Sequence, residues 1–234
     1  MIMRQIASPM SVKIKVLRGN EYFNELPEDV LAEIAGHTQL WEYPRGGVFF
    51  WEGDPCHGLH IMEQGSAKIY RLSPQGRQYI VRVLQEGDTF AEVSAFDGGA
   101  NPVNVEAFET CRVWVIDSDL LRRLVLTYPQ FAQKVLVNFG KMLRSMVHKA
   151  SEMAFYQVTH RLARLISDLS QNNPLGRPTA RWTQEQLAAR LGTVREVVAR
   201  SLKELERCGA IRIEDHSIHI ADQSALEQWT HPYD

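Results

Sequence analysis

Arg195, Glu196 and Arg200 stand at i, i+1 and i+5 near the start of a short segment with helical periodicity. A guanidinium can grip guanine O6 and N7 with two parallel hydrogen bonds, a carboxylate can accept from cytosine N4, and an α-helix fits the major groove of duplex DNA. The trio can therefore read bases if one helix face presents it. The competing reading is a solvated helix in which Glu196 pairs with Arg200 at i, i+4. Lys203 extends the same face, and Thr183 and Thr193 lie just upstream.

The elements around the trio decide between these readings. Thr183 with Gln186, and Thr193 with Glu196, each fit a capping box, which satisfies the orphan N–H groups of a helix start. Two short helices are predicted, joined by Leu191-Gly192-Thr193, where glycine allows a sharp corner. Along the second, Val194, Val198, Leu202 and Leu205 recur at helical spacing and form the buried face. Beyond Gly209, Ala210 to Ile213 and Ser217 to Ile220 alternate around Glu214-Asp215-His216, which reads as a hairpin. Helix-turn-helix followed by a hairpin is a winged helix.

The chain has 234 residues and a formal charge of −2. From Arg177 to Glu214, however, eight basic residues face five acidic ones, so the remainder carries −5. The basic surplus sits on the winged-helix segment, as nucleic-acid contact requires. Cys56, Cys111 and Cys208 are far apart and form no C-x-x-C, which indicates neither a disulfide framework nor an iron–sulfur ligand set. The start lacks the apolar run of a signal peptide and no later stretch could span a bilayer, so a soluble cytoplasmic protein with no membrane partner is expected.

From about Leu40 to Ile116 the pattern changes to short apolar or alternating runs. These are Val48 to Trp51, Leu59 to Met62, Ala67 to Tyr70 and Tyr79 to Val83, closed by Val103 to Ala107 and Cys111 to Ile116. Gly53, Gly65, Gly76 and Gly87 follow at steps of twelve, eleven and eleven, the turn pitch of an antiparallel sandwich or barrel. A jelly-roll-like domain of this size can enclose a small ligand. Asp117 or Ser118 can cap a short helix through Leu126, and Pro129 suits the first turn of a longer one. There Ala132, Leu136, Phe139, Leu143, Met146, Ala150 and Met153 alternate in steps of four and three, a heptad seam. A parallel homodimer seam is preferred to packing on the chain's own β domain, because two-fold symmetry supplies a second half-site. A further helix, about Glu152 to Leu169, leads to a loop at Asn172 to Pro178.

β-roll, long helix and winged helix in this order resemble the CRP/FNR family of bacterial transcription regulators. The matching segments are E-G-D at Glu52 to Asp54, E-Q-G-S-A-K-I-Y-R-L-S-P-Q-G-R at Glu63 to Arg77 and E-G-D-T-F-A-E at Glu86 to Glu92. F-Y-Q-V-T-H-R-L-A from Phe155 resembles the family's hinge, and T-Q-E-Q-L-A-A-R-L-G-T-V-R-E-V-V-A-R from Thr183 its recognition motif. The resemblance implies an α+β chain: a β-roll of the cyclic-nucleotide-binding type after an N-terminal helical segment (1–128), a dimerisation helix (129–153) and a winged helix-turn-helix (154–234). It also implies a non-enzymatic regulator that binds a two-fold symmetric duplex, with Arg195, Glu196 and Arg200 on TGTGA-like half-sites and RNA polymerase as a further partner if it activates. Control in the family is a population shift set by an effector held between β-roll and long helix.

That effector is not expected to be cyclic AMP. Members that bind it carry F-G-E-L, an Arg-Ser pair about nine residues after the Glu, and an adjacent Thr-Ser on the long helix. Here Phe90-Ala91-Glu92-Val93, Asn101-Pro102 and Met146-Val147 stand in those places, so a phosphate would meet no matching cation. The F-A-E loop looks like the haem-binding, nitric-oxide-responsive DNR branch. Haem would need an axial ligand from His57, His60, His148, His160, Cys56 or Cys111, each of which has an ordinary packed or surface role as its alternative. Oxidation at Cys111 or Cys208 is a further route, though a strand cysteine usually serves as a small apolar residue. An effector-independent DNA-binding dimer stays open as well. A cupin-like metalloenzyme is disfavoured, because H-x-x-H in an extended segment sends His57 and His60 to opposite faces.

Overall fold

A computed structural model describes residues 3–171, 182–214 and 217–230. The described residues divide into two compact units. One runs through Arg71 and over Val81–Leu143; the other takes Leu72–Ile80 and the chain from Arg144 onwards.

The first unit begins with β1 (Arg4–Ile6), α1 (Met10–Gly19) and α2 (Glu28–Gly36). The roll follows as β2 (Thr38–Tyr43), β3 (Val48–Phe50), β4 (Gly58–Gln64), β5 (Ala67–Leu72), β6 (Gln78–Leu84), β7 (Thr89–Phe90), α3 (Glu92–Asp97), β8 (Asn104–Ala107) and β9 (Cys111–Asp117). Two antiparallel sheets result, ordered β1-β2-β9-β4-β7 and β3-β8-β5-β6. The four glycines at regular pitch all adopt positive φ, from 76 to 90°, and punctuate the turns between successive strands. Side-chain alternation then sorts the apolar residues into two cores. Leu40, Leu59, Ile61, Trp114 and Ile116 pack against α1 and α2, whereas Tyr43, Phe50, Met62, Phe90 and Val113 fill the space between the sheets.

Asp117 caps α4 (Ser118–Thr127), its Oδ1 accepting from the Leu120 amide at 2.9 Å. The long helix α5 (Pro129–Phe155) extends two residues past the expected end, and the next helix, α6 (Val158–Gln171), starts only after a break at Tyr156-Gln157. The first half of α5 belongs to the first unit: Phe131 and Val135 are buried, Lys134 pairs with Glu25 at 2.8 Å, and Asn138 donates to the Tyr22 hydroxyl. Phe139 also packs there, edge-on to Phe96 at 6.0 Å, which departs from a purely exposed seam. Leu136, Leu143, Met146, Ala150 and Met153 are exposed.

The second unit contains α7 (Gln184–Leu191), α8 (Arg195–Arg207), the hairpin β10 (Ile211–Glu214) and β11 (Ser217–Ile220), and α9 (Gln223–Thr230). The expected loop at Asn172 to Pro178, with Arg177, Arg181 and the wing-turn residues Asp215 and His216, lies outside the described residues. Leu162 and Ile166 of α6, Leu187 and Leu191 of α7, Val198, Leu202 and Leu205 of α8 and Leu226 of α9 form its core. α9 was not expected from the sequence. Its start is set by Asp222, whose carboxylate accepts from the Ala225 amide at 3.1 Å.

Candidate nucleic-acid interface and effector region

The Thr183 capping box forms in full: its hydroxyl accepts from the Gln186 amide at 3.1 Å while Gln186 Oε1 accepts from the Thr183 amide at 2.9 Å. The second box does not form. Gly192 adopts φ 64°, and the Thr193 amide bonds back to the Ala188 carbonyl at 3.0 Å. Thr193 thereby completes the C-terminal cap of α7, which delays α8 until Arg195 and makes Val194 its uncapped N-cap. Val194 is accordingly half-buried rather than one of the fully buried core residues; Ser201 joins Val198, Leu202 and Leu205 on that face. The Thr159 hydroxyl lies 3.0 Å from both Ser201 Oγ and Glu204 Oε2 and fixes α6 against α8. Arg161 donates to the Leu191 carbonyl at 2.8 Å, holding the end of α7.

With its apolar side so occupied, α8 turns Arg195, Glu196, Arg200 and Lys203 to solvent. Among the described residues no ion pair joins Glu196 to Arg200, so both heads are available to an outside partner. Arg195 is braced by Gln184, whose Oε1 it approaches at 3.4 Å. Arg195 and Thr183 also share a groove of 520 Å³ with Trp182, Gln184 and, from the hairpin, Ile213 and Ile218.

In the first unit Phe90 is fully buried, and Ala91 is the one non-glycine described residue with positive φ, 66°. An L-residue there costs about 1 kcal/mol relative to ordinary backbone. The buried Glu92 carboxylate accepts from Thr89 Oγ1 at 2.7 Å and so closes the β7–α3 turn. Asn101 is buried beside exposed Pro102, its Nδ2 donating to the Pro55 carbonyl at 3.4 Å. Met146, Val147 and His148 lie exposed on α5.

The histidines separate by environment. His148 pairs with Glu152 at 3.5 Å, and half-buried His160 bonds the Trp229 carbonyl at 3.1 Å while packing on its ring. His57 and His60 do not point to opposite faces. His57 precedes Gly58, the first residue of β4, so strand alternation does not apply to it, and both histidines line one cavity of 320 Å³. His60 is buried, stacks on Phe90 at 4.7 Å, and bonds the Gly58 carbonyl through Nδ1 at 3.0 Å. Burial lowers its pKa from 6.5 to about 4. Cys111 is also buried, its thiol pushed up to about 11 by desolvation, while Cys208 is exposed and accepts from the Trp229 indole at 3.3 Å. Among the described residues no three histidine, cysteine or carboxylate side chains converge as a metal site, and no helix is long and apolar enough to cross a membrane.

Residues 40–128 match the cyclic nucleotide-binding domain family and residues 160–229 the Crp-like helix-turn-helix domain family. A CRP-like cAMP-activated global transcriptional regulator of Mycobacterium tuberculosis is 29% identical over 209 residues, covering 87% of this chain and 93% of the relative. Among solved structures, CLP, the c-di-GMP responsive global regulator of Xanthomonas campestris, superposes with a TM-score of 0.69 at 24% identity, over 84% of this chain and 100% of that one. The sensor domain of the transcriptional regulator DNR from Pseudomonas aeruginosa gives 0.54 at 24% identity, over 59% of this chain and 93% of that one. At such identities the two structures speak for the fold alone. Because the two domain families follow one another along the sequence over a β-roll, a long helix and a winged helix, the chain belongs to the CRP/FNR family of DNA-binding transcription regulators, which carry an effector-binding domain.

Proposed function

We propose that this chain is one protomer of a homodimer that reads TGTGA-like half-sites of a two-fold symmetric duplex through Arg195, Glu196 and Arg200. Thr183, Thr193 and Lys203 contact the backbone around them, and the exposed α5 residues Leu136, Leu143, Met146, Ala150 and Met153 form the seam. The division of labour follows residues 1–128 for sensing, 129–153 for dimerisation and 154–234 for DNA. The observation that carries the reading is the exposed α8 face, on which Glu196 and Arg200 are not spent on one another although their spacing would allow it. The test is fluorescence anisotropy at fixed salt with a labelled duplex bearing two TGTGA half-sites. The symmetric site should bind at least about 10³-fold more tightly than a scrambled duplex. Equal affinity for both would refute base reading.

The effector is a small molecule other than cyclic AMP. Asn101 is uncharged and its Nδ2 is already committed to Pro55, so it cannot replace an arginine on a phosphate. Named relatives respond to different ligands, cAMP in one case and c-di-GMP in another, so the fold leaves the effector to the residues. Among the described residues, the cavity at His57 and His60 does not fit haem: it is at the small end of ligand pockets, below the size of a tetrapyrrole. Cys56 and Cys111 thiols are both raised by burial, which opposes thiolate ligation.

A further inference from the structure

The 320 Å³ cavity lies within the first unit, at one mouth of the roll, and it is lined by residues of the opposed sheets. Its walls are aromatic: Trp41 and Tyr43 from β2, Phe49 and Phe50 from β3. Phe90, Ala91 and Glu92 are not part of the lining; Asn101 is the one residue it shares with the loop positions that hold a nucleotide in cyclic-AMP-binding members.

Beside groups that can donate, on Gln39, Tyr43, His37 and His57, it holds two acceptors that the chain leaves unsatisfied, Asn101 Oδ1 and His60 Nε2. Asn101 is 2% exposed, and its Oδ1 is buried with no hydrogen-bond partner. The amide cannot be turned round to cure this, since Nδ2 must face the Pro55 carbonyl to donate to it. His60 gives its Nδ1–H to the Gly58 carbonyl, which leaves Nε2 a bare lone pair in the neutral ring. Burial keeps the ring neutral at pH 7. At the rim, one oxygen of Asp117 is used on the Leu120 amide, and the carboxylate adds acceptor capacity. Neither lysine nor arginine lines the cavity, so an anion has no permanent countercharge there.

A buried orphan acceptor is costly, and a native site that bears this cost calls for a donor from outside the chain. We infer that this mouth of the roll is a binding site for a small planar aromatic carrying N–H or O–H donors, of the phenol or indole class, its ring between the aromatic walls and its donor on Asn101 Oδ1 or His60 Nε2. The volume admits one or two fused rings. His60 stacks on Phe90, next to strained Ala91, so an occupant bonded to His60 bears directly on the F-A-E loop. As an effector site this rests on the regulator reading above; as a binding site it does not, and direct binding tests it without DNA.

The experiment is isothermal titration of the full-length protein with phenol and with indole, against toluene and N-methylindole as shape analogues that lack the donor. Phenol and indole should bind at least about tenfold more tightly than their analogues. The preference should disappear in Asn101→Leu or in His60→Phe, each checked for folding by its thermal melt so that one folded variant suffices. If donor and analogue bind alike, or if neither phenol nor indole binds at millimolar concentration, the cavity is a water pocket and the inference fails. A duplex that binds normally alongside that result would leave the DNA-reading proposal standing.

Discussion

A histidine held at a pKa of about 4 by burial makes stability depend on pH in a defined direction. The unfolded ring takes its proton near 6.5, so between pH 6.5 and 4 the unfolded state binds more protons than the folded one. Stability conferred by neutral His60 is therefore complete above pH 6.5 and is lost as pH falls towards 4, by up to about 3 kcal/mol. Between pH 7 and pH 5 the wild type should lose about 2 kcal/mol more than His60→Gln in urea titrations. Parallel pH dependences would mean that the buried ring is protonated in the folded protein or reached by water. This histidine was visible in the sequence as a possible ligand, but its partner in the cavity was not. Strand alternation does not separate His57 from His60, because β4 begins at Gly58, between them, and sequence spacing does not reveal where pairing starts.

The two threonines ahead of the helix pair look alike in sequence and behave differently in the fold. Thr183→Ala should cost about 1 kcal/mol in chemical denaturation because a complete capping box is lost. Thr193→Ala should cost no more than a few tenths, since its hydroxyl does not cap α8 and its amide bond to Ala188 survives the change. Equal losses would show that Thr193 does cap α8 in solution. The T-x-x-E pattern was a local signal that lost to the C-terminal cap of α7, a competition that only the folded corner decides. Where a local signal had no competitor it held: Gly53, Gly65, Gly76 and Gly87 supply positive φ at the turns, and Asp117 caps α4. β1 was illegible because three residues, Arg4 to Ile6, gain their strand character only from pairing with distant β2. Asp222 ahead of α9 is a cap signal of the same local kind.

At the scale of the whole molecule, the proposed dimer ties the exposed residues of α5 to the exposed face of α8, since a single winged helix reads only one half-site. Leu143, 63% exposed, is the clean probe of the seam, whereas Phe139 also packs against Phe96 and would damage the protomer itself. Leu143→Glu should sediment as a monomer while its circular dichroism stays that of the wild type. A dimer that persists would refute the seam. Arg195 and Arg200 are proposed to read bases, which phosphate contact alone would not require. The measurement that tests this most directly is anisotropy at fixed salt for the wild type, Arg195→Ala and Arg200→Ala on the symmetric TGTGA site and on duplexes with one base pair changed per half-site. Each variant should lose about 1–3 kcal/mol on the cognate site and become indifferent to the base pair its arginine read. An equal loss on every duplex, with the base preference intact, would contradict the account.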